Sequence, residues 1–216
     1  MTKRTLGEPF GRRRRAGAYR WGVIGGGEDK KAWREEILAR RKAVPAAVRE
    51  REAAALAATA GTIGAAWVCA YVPVGGEPGS VAMLDALRAG GARVLLPVTG
   101  EPGPLDWAEY LGPERLRRGR FGLSEPDGES VADALAKAEV ILVPALAVDH
   151  RGVRLGRGAG YYDRSLGACR ADARLIAVVR DDELVDHLPE EAHDHRMGWA
   201  LTPGGGLLEL GERAGN

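Results

Sequence analysis

Four short continuous runs, apolar throughout except for Arg93 at the head of the second, constrain this 216-residue chain more than any other feature: Trp67–Tyr71, Arg93–Pro97, Val140–Pro144 and Leu175–Val179. None alternates polar with apolar residues. A strand that reads this way is covered on both faces, as in parallel sheets with helices above and below. Helical spacing fills the intervals. Lys30–Lys42 carries a narrow stripe of Trp33, Ile37 and Leu38. Val44-Pro45 interrupts it, with Pro45 suited to the first position of an alanine-rich second helix over 46–60. Ser80 is placed to cap a helix bearing Val81, Leu84 and Leu87, which Gly90-Gly91 ends. A weaker strand signal lies near Trp107–Leu111, within a Pro- and Gly-rich stretch over 100–130. A helix is expected over 131–138 and another from about Gly160, and Leu175–Val179 is the last clear strand. The alternation predicts one three-layer α/β/α domain over residues 29–216 with a mostly parallel, open sheet. Ligands of such sheets sit beyond the carboxyl ends of the strands. The loops after Tyr71, Val143 and Val179 are therefore the ones to inspect.

Charge separates the chain into two parts. The net formal charge is +1, yet seven of the 31 Lys and Arg residues fall within residues 1–27, against one acidic residue, Glu8. Residues 1–28 read as a basic, disordered tail, because a secretory signal needs an apolar stretch that Arg20 and several glycines deny it. The remainder is mildly acidic and has no basic stripe, so no nucleic-acid partner is expected. No apolar run approaches the roughly 18 residues of a membrane span, so no membrane association is expected. Cys69 and Cys169 lack metal-ligand spacing and are too few for a disulfide framework, which suits a reducing compartment, the cytoplasm. Cys69 reads as a core thiol.

The loop after Val143 concentrates chemistry. Gly156, Gly158 and Gly160 alternate within Arg154-Leu-Gly-Arg-Gly-Ala-Gly-Tyr-Tyr-Asp163. Alternate glycines allow a tight backbone whose successive N–H groups turn toward one anion. Arg154 and Arg157 supply forked donors for phosphate oxygens, and Asp163 is a carboxylate of the kind magnesium takes beside phosphate. The run matches neither the P-loop nor the dinucleotide fingerprint, and a solvated glycine loop fits the same residues. Tyr161 and Tyr162 suit a ligand wall or the core equally well. His193 and His195 have no third ligand in view for zinc. His150 beside Asp149 is a weaker candidate for a general base.

The same ten residues resemble the signature of the 5-formyltetrahydrofolate cyclo-ligase family. Further likenesses follow in the family's order: Lys30-Lys-Ala-Trp-Arg34, Tyr71-Val-Pro-Val-Gly-Gly-Glu77, Phe121-Gly-Leu-Ser-Glu-Pro126, Pro189–Asp194 and Leu201-Thr-Pro203. The resemblance implies an open-sheet fold shared with sugar-phosphate isomerases and CoA transferases. It implies an enzyme that uses ATP and Mg2+ to convert 5-formyltetrahydrofolate to 5,10-methenyltetrahydrofolate, and a monomer whose partners are the reduced folate and ATP. By the same resemblance, Lys30, Arg34, Arg154, Leu155, Gly156, Arg157, Gly158, Ala159, Gly160, Tyr161 and Tyr162 would bind ATP. Val72, Glu77 and residues 157–161 would bind folate, Asp163 and Asp194 would hold the metal, and Arg157 and Tyr161 would serve catalysis. Val148 stands where the family often has Phe on the folate side, and Gly198 where it often has a carboxylate. These departures motivate an alternative, a folate- or nucleotide-binding relative without turnover.

Overall fold

The computed structural model describes residues 29–98, 104–119, 122–191 and 194–211. The basic tail, Phe121 and His193 lie outside the described residues. Two helices, α1 (Lys30–Ala43) and α2 (Ala46–Ala60), precede β1 (Trp67–Cys69), α3 (Val81–Ala89) and β2 (Arg93–Val98). Then come β3 (Asp106–Glu109), β4 (Leu116–Arg118), β5 (Ser124–Pro126) and the single-turn α4 (Ala134–Lys137). The second half holds β6 (Val140–Pro144), β7 (Ala147–Asp149), β8 (Arg154–Leu155), α5 (Tyr161–Ser165), β9 (Arg174–Val178), β10 (Leu184–Val185), β11 (Trp199–Thr202) and β12 (Gly206–Glu209).

The main sheet has seven strands in the order β12-β11-β9-β6-β1-β2-β3. Its five inner strands pair in parallel, and β3 and β12 close the two edges antiparallel. The α/β architecture is therefore as the apolar runs predict. Period-2 geometry divides each run between two cores. Val68, Val94, Leu96, Val140, Leu142, Ile176 and Val178 face Leu56, Met83, Leu84 and Leu87 of α2 and α3. Cys69, Leu95, Ile141, Val143, Ala177 and Val179 pack with Leu135 and Leu166 on the other side. Each fully buried Leu or Ile removes enough apolar surface to contribute about 1.5–3 kcal/mol. Burial pushes the Cys69 thiol well above its ordinary range, as befits a core thiol.

The structure corrects several local expectations. Pro45 is the N-cap of α2 rather than its first helical residue; its carbonyl accepts from Val48 N and Arg49 N at 3.0 and 3.1 Å. Ser80 occupies the N-cap of α3, but its side chain makes no capping hydrogen bond. Asp29 does cap, accepting from Lys31 N at 2.8 Å. The helix expected over 131–138 shrinks to α4. Leu175–Val179 is not the last strand, for β11 pairs in parallel with β9 and turns back into β12. The segment after β6 is not a plain loop either. It holds the antiparallel pair β7–β8, and β10 adds to β7 in parallel, making a second, three-stranded sheet. Asp149, wholly buried, organises the turn by accepting from Arg151 N, Val153 N and Leu188 N at 2.9, 2.9 and 3.0 Å.

Chain order reverses at β1. From β1 the chain steps through β2 to β3 in one direction, and from β6 through β9 to β11 in the other. The crevice between the carboxyl ends of β1 and β6 is thus the place where an open sheet leaves room for a ligand.

Candidate active site

A cavity of about 290 Å³ opens at that crevice. The loop after β1 contributes Tyr71, Val72, Val74 and Glu77; the stretch after β6 contributes Pro144, Ala145 and Leu146; the β8–α5 connection contributes Arg154 and residues 156–163. Two of the three anticipated loops therefore meet. The loop after Val179 does not reach the cavity and acts from behind it, through Glu183.

Helix α1 explains how these pieces are held. Lys30, Arg34, Ile37 and Arg41 stand at i, i+4, i+7 and i+11, one face of a helix. Ile37 is buried with Leu155 and Val185 of the second sheet and with Leu146, Val153 and Leu188 beside it. On one side of this apolar contact Arg34 donates from Nε to the Gly156 carbonyl at 3.0 Å, and its guanidinium lies 3.5 Å from where a Cβ of Gly158 would be. Lys30 Nζ donates to Asp194 Oδ2 at 2.8 Å and pairs with Glu191 at 3.1 Å. Burial alone would lower the Lys30 pKa, but the hydrogen bonds and charges of Asp194 and Glu191 outweigh it and hold the pKa above the ordinary value. On the other side Arg41, 2% exposed, donates from Nε and Nη2 to the two oxygens of Glu183, both at 2.7 Å. Its Nη2 also reaches the Ala145 carbonyl at 2.6 Å.

The glycine run is held tightly. Gly158 and Gly160 have φ of +97° and +69°, where a side chain is strained. A Cβ at Gly156 would fall 2.7 Å from Arg154 Nη1. Arg154 is buried rather than free to meet solvent. It donates to Asp163 Oδ1 at 2.5 Å and to the Pro144 carbonyl at 3.3 Å. Across the cavity mouth Arg157 Nε pairs with Glu77 Oε1 at 3.0 Å, while Val74 N donates to Glu77 Oε2, also at 3.0 Å. Tyr71 Oη donates to the Pro78 carbonyl at 2.8 Å and pins this loop. Tyr162 meets Trp107 edge-on at 6.5 Å between ring centres. Burial raises its pKa far above the ordinary value, so its hydroxyl stays protonated.

Of the residues anticipated from sequence, Val72, Glu77, Arg154, Gly156, Arg157, Gly158, Ala159, Gly160, Tyr161, Tyr162 and Asp163 line the cavity. Lys30, Arg34 and Asp194 do not; Arg34 touches the backbone of the glycine turn, and Lys30 is held by Asp194 and Glu191. Leu155 is core, 1% exposed, among the apolar residues of the second sheet. Val148 is also core, 0% exposed in β7. It forms no part of the cavity wall, so the missing aromatic ring is not missing from the site. His150 is exposed, and among the described residues no group of three or more His, Cys, Asp or Glu is arranged to hold a metal ion. Also among them, no helix is long and apolar enough to cross a membrane. Sequence reasoning passed over Arg41, although its spacing from Arg34 and Ile37 puts it on their face of α1.

Comparison with known proteins bears on the fold and the family. A protein of Mycolicibacterium smegmatis named 5-formyltetrahydrofolate cyclo-ligase is 52% identical over 189 residues, covering 84% of this chain and 97% of the relative. An Escherichia coli K12 protein of the same name is 30% identical over 141 residues, 63% of this chain and 77% of that one. The solved structure of the 5,10-methenyltetrahydrofolate synthetase of Aquifex aeolicus superposes with a TM-score of 0.72 at 26% identity, covering 87% of this chain and 94% of that one. That of Mycoplasma pneumoniae, at 18% identity and a TM-score of 0.64, shares the fold. The model of the 5-formyltetrahydrofolate cyclo-ligase family matches residues 26–203, and the chain belongs to that family.

Proposed function

We propose that this chain is an ATP-dependent 5-formyltetrahydrofolate cyclo-ligase, forming 5,10-methenyltetrahydrofolate, ADP and phosphate. The observation that carries the reading is the sharing of one cavity by Glu77, a carboxylate suited to a pterin edge, and the Gly156–Gly160 run, suited to phosphates. A formamide carbonyl is a poor electrophile and its oxygen a poor leaving group. Attack of that oxygen on the γ-phosphoryl group of ATP releases ADP and leaves an iminium phosphate. N10 then closes the ring on the formyl carbon and loses its proton, and the former formyl oxygen departs with phosphate.

Such chemistry asks the protein for positioning and charge rather than for a nucleophile. Backbone N–H groups of residues 156–160 cradle phosphate oxygens. Arg157 turns from Glu77 toward them, and Lys30 and Arg34 add positive charge from α1. Glu77 accepts from the amino-pyrimidine edge, with Val72 and Tyr161 against the ring. Mg2+ takes few protein oxygens and completes its shell with water and phosphate, so the lack of a larger acidic cluster is no obstacle. Asp163, beside the glycine run, would hold it on release from Arg154; Asp194 lies outside the cavity, bound to Lys30, and would join only by leaving that pair, and the ion would neutralise phosphate charge. We further propose that residues 29–216 form the cyclo-ligase domain and that the protein is a cytoplasmic monomer.

Purified protein given 5-formyltetrahydrofolate and MgATP is expected to develop the near-ultraviolet absorbance of methenyltetrahydrofolate, with one ADP per product. Binding of both substrates with neither product would instead support the relative without turnover.

A further inference from the structure

Among the described residues four buried side-chain polar atoms lack a hydrogen-bond partner: Arg41 Nη1, Arg154 Nε, Tyr162 Oη and Trp107 Nε1. Three belong to residues that line the cavity, and the fourth sits on the ring that meets Tyr162. A buried donor without an acceptor costs about 1–3 kcal/mol, and Arg41 is the most fully withdrawn of the three cavity residues. Its Nε and Nη2 are spent on Glu183 and Ala145, so its orientation is fixed and only Nη1 remains to give. The Gly75-Gly76 turn packs on it; a Cβ at Gly76 would come within 3.1 Å of Arg41 Cβ. Both residues line the cavity, and against burial, which lowers the Arg41 pKa, the Glu77 charge acts with Glu183 to hold it up, which puts the carboxylate at the same end.

This end therefore combines a group that only accepts, the Glu77 carboxylate, with one that only donates, Arg41 Nη1. The complementary ligand edge carries N–H donors next to a carbonyl. We propose that Arg41 is a specificity-determining residue that donates to the 4-oxo group of the pterin while Glu77 accepts from the 2-amino side, so that the site selects a 2-amino-4-oxo ring over a 2,4-diamino ring. The inference rests on the cyclo-ligase reading for the identity of the ligand. In a 4-amino ligand two donors would face one another, and a buried polar group left unpaired is a strong basis for discrimination.

The experiment measures binding of 5-formyltetrahydrofolate and of its 4-amino-4-deoxy counterpart, without ATP, to wild type, Arg41→Lys and the double variant Arg41→Met with Glu183→Gln. The double variant removes both charges, so no ion is stranded if Lys fails to fold. Wild type is expected to prefer the 4-oxo compound by tenfold or more, about 1.4 kcal/mol. Each folded variant is expected to lose that preference while affinity for a non-hydrolysable ATP analogue stays unchanged. A preference that survives in either folded variant, or its absence in wild type, overturns the role of Arg41 alone. Failure of wild type to bind 5-formyltetrahydrofolate at all overturns the cyclo-ligase reading with it.

Discussion

Under the proposed function, the Glu77–Arg157 pair would set the two substrates in competition with the protein itself. Glu77 Oε1 holds Arg157 Nε at 3.0 Å, and Arg157 Nη2 reaches the Val74 carbonyl at 3.4 Å. For Arg157 to meet phosphates, or for Glu77 to meet a pterin with both oxygens, the pair must open. Glu77→Gln keeps the shape and removes the charge. The side chain of Arg157 is 45% exposed and that of Glu77 9%, so the pair belongs near the upper end of the 0.2–1 kcal/mol measured for accessible ion pairs. Freed of it, the variant is expected to bind a non-hydrolysable ATP analogue about two- to fivefold more tightly. Folate binding moves the other way, by about ten- to a hundredfold, because a hydrogen bond to a charged group is worth roughly 1.5–3 kcal/mol. Linkage adds a second reading of the same event. In wild type, reduced folate should tighten the ATP analogue by the factor that Glu77→Gln gives, and the reverse must hold equally. Isothermal titration of each ligand, alone and with the other saturating, measures all four affinities. An unchanged or weakened ATP affinity in the variant refutes the reasoning, as does ligand coupling that persists in it.

Gly152→Ala, far from the chemistry, is expected to cost about 3 kcal/mol and lower Tm by roughly 6–12 °C. Gly152 has φ of +90° and a Cβ there would run into the Met197 carbonyl oxygen; a calorimetric melt within a degree of wild type contradicts this. Asp163→Ala should abolish turnover, since it removes the proposed metal ligand and leaves Arg154 without its carboxylate; activity near wild type at every magnesium concentration would refute the metal assignment. Lys30 has a folded-state pKa above its ordinary 10.5, so the stability it contributes is complete below that value and lost as pH rises through the folded one. The stability difference between wild type and Lys30→Met should therefore stay flat from neutral pH to about pH 9 and shrink only in stronger alkali; denaturant melts showing a decline near neutrality would refute it.

The main sheet was legible because burial on two faces forces unbroken apolar strands, and four of its five parallel strands are such runs. The fifth, Trp199-Ala-Leu-Thr202, is too short and too ordinary to announce itself, and its place depends on pairing with β9. The hairpin of β7 and β8 stayed hidden for another reason. Its turn is built on the side chain of Asp149 rather than on an Asn-Gly pair, and its second strand has only two residues. The site shows the same division. Glycines, arginines and a carboxylate in one run point to the loop that lines the cavity, but nothing in that run tells which arginine turns inward and which outward. Arg154 is turned inward to Asp163, Arg157 outward to Glu77, and Arg41 enters from α1 because Ile37, four residues earlier, must be buried against the second sheet. An apolar stripe thus orients the charged residues that share its face. For that reason the Lys30–Arg34–Arg41 spacing carries more information about the site than the count of arginines in the glycine loop.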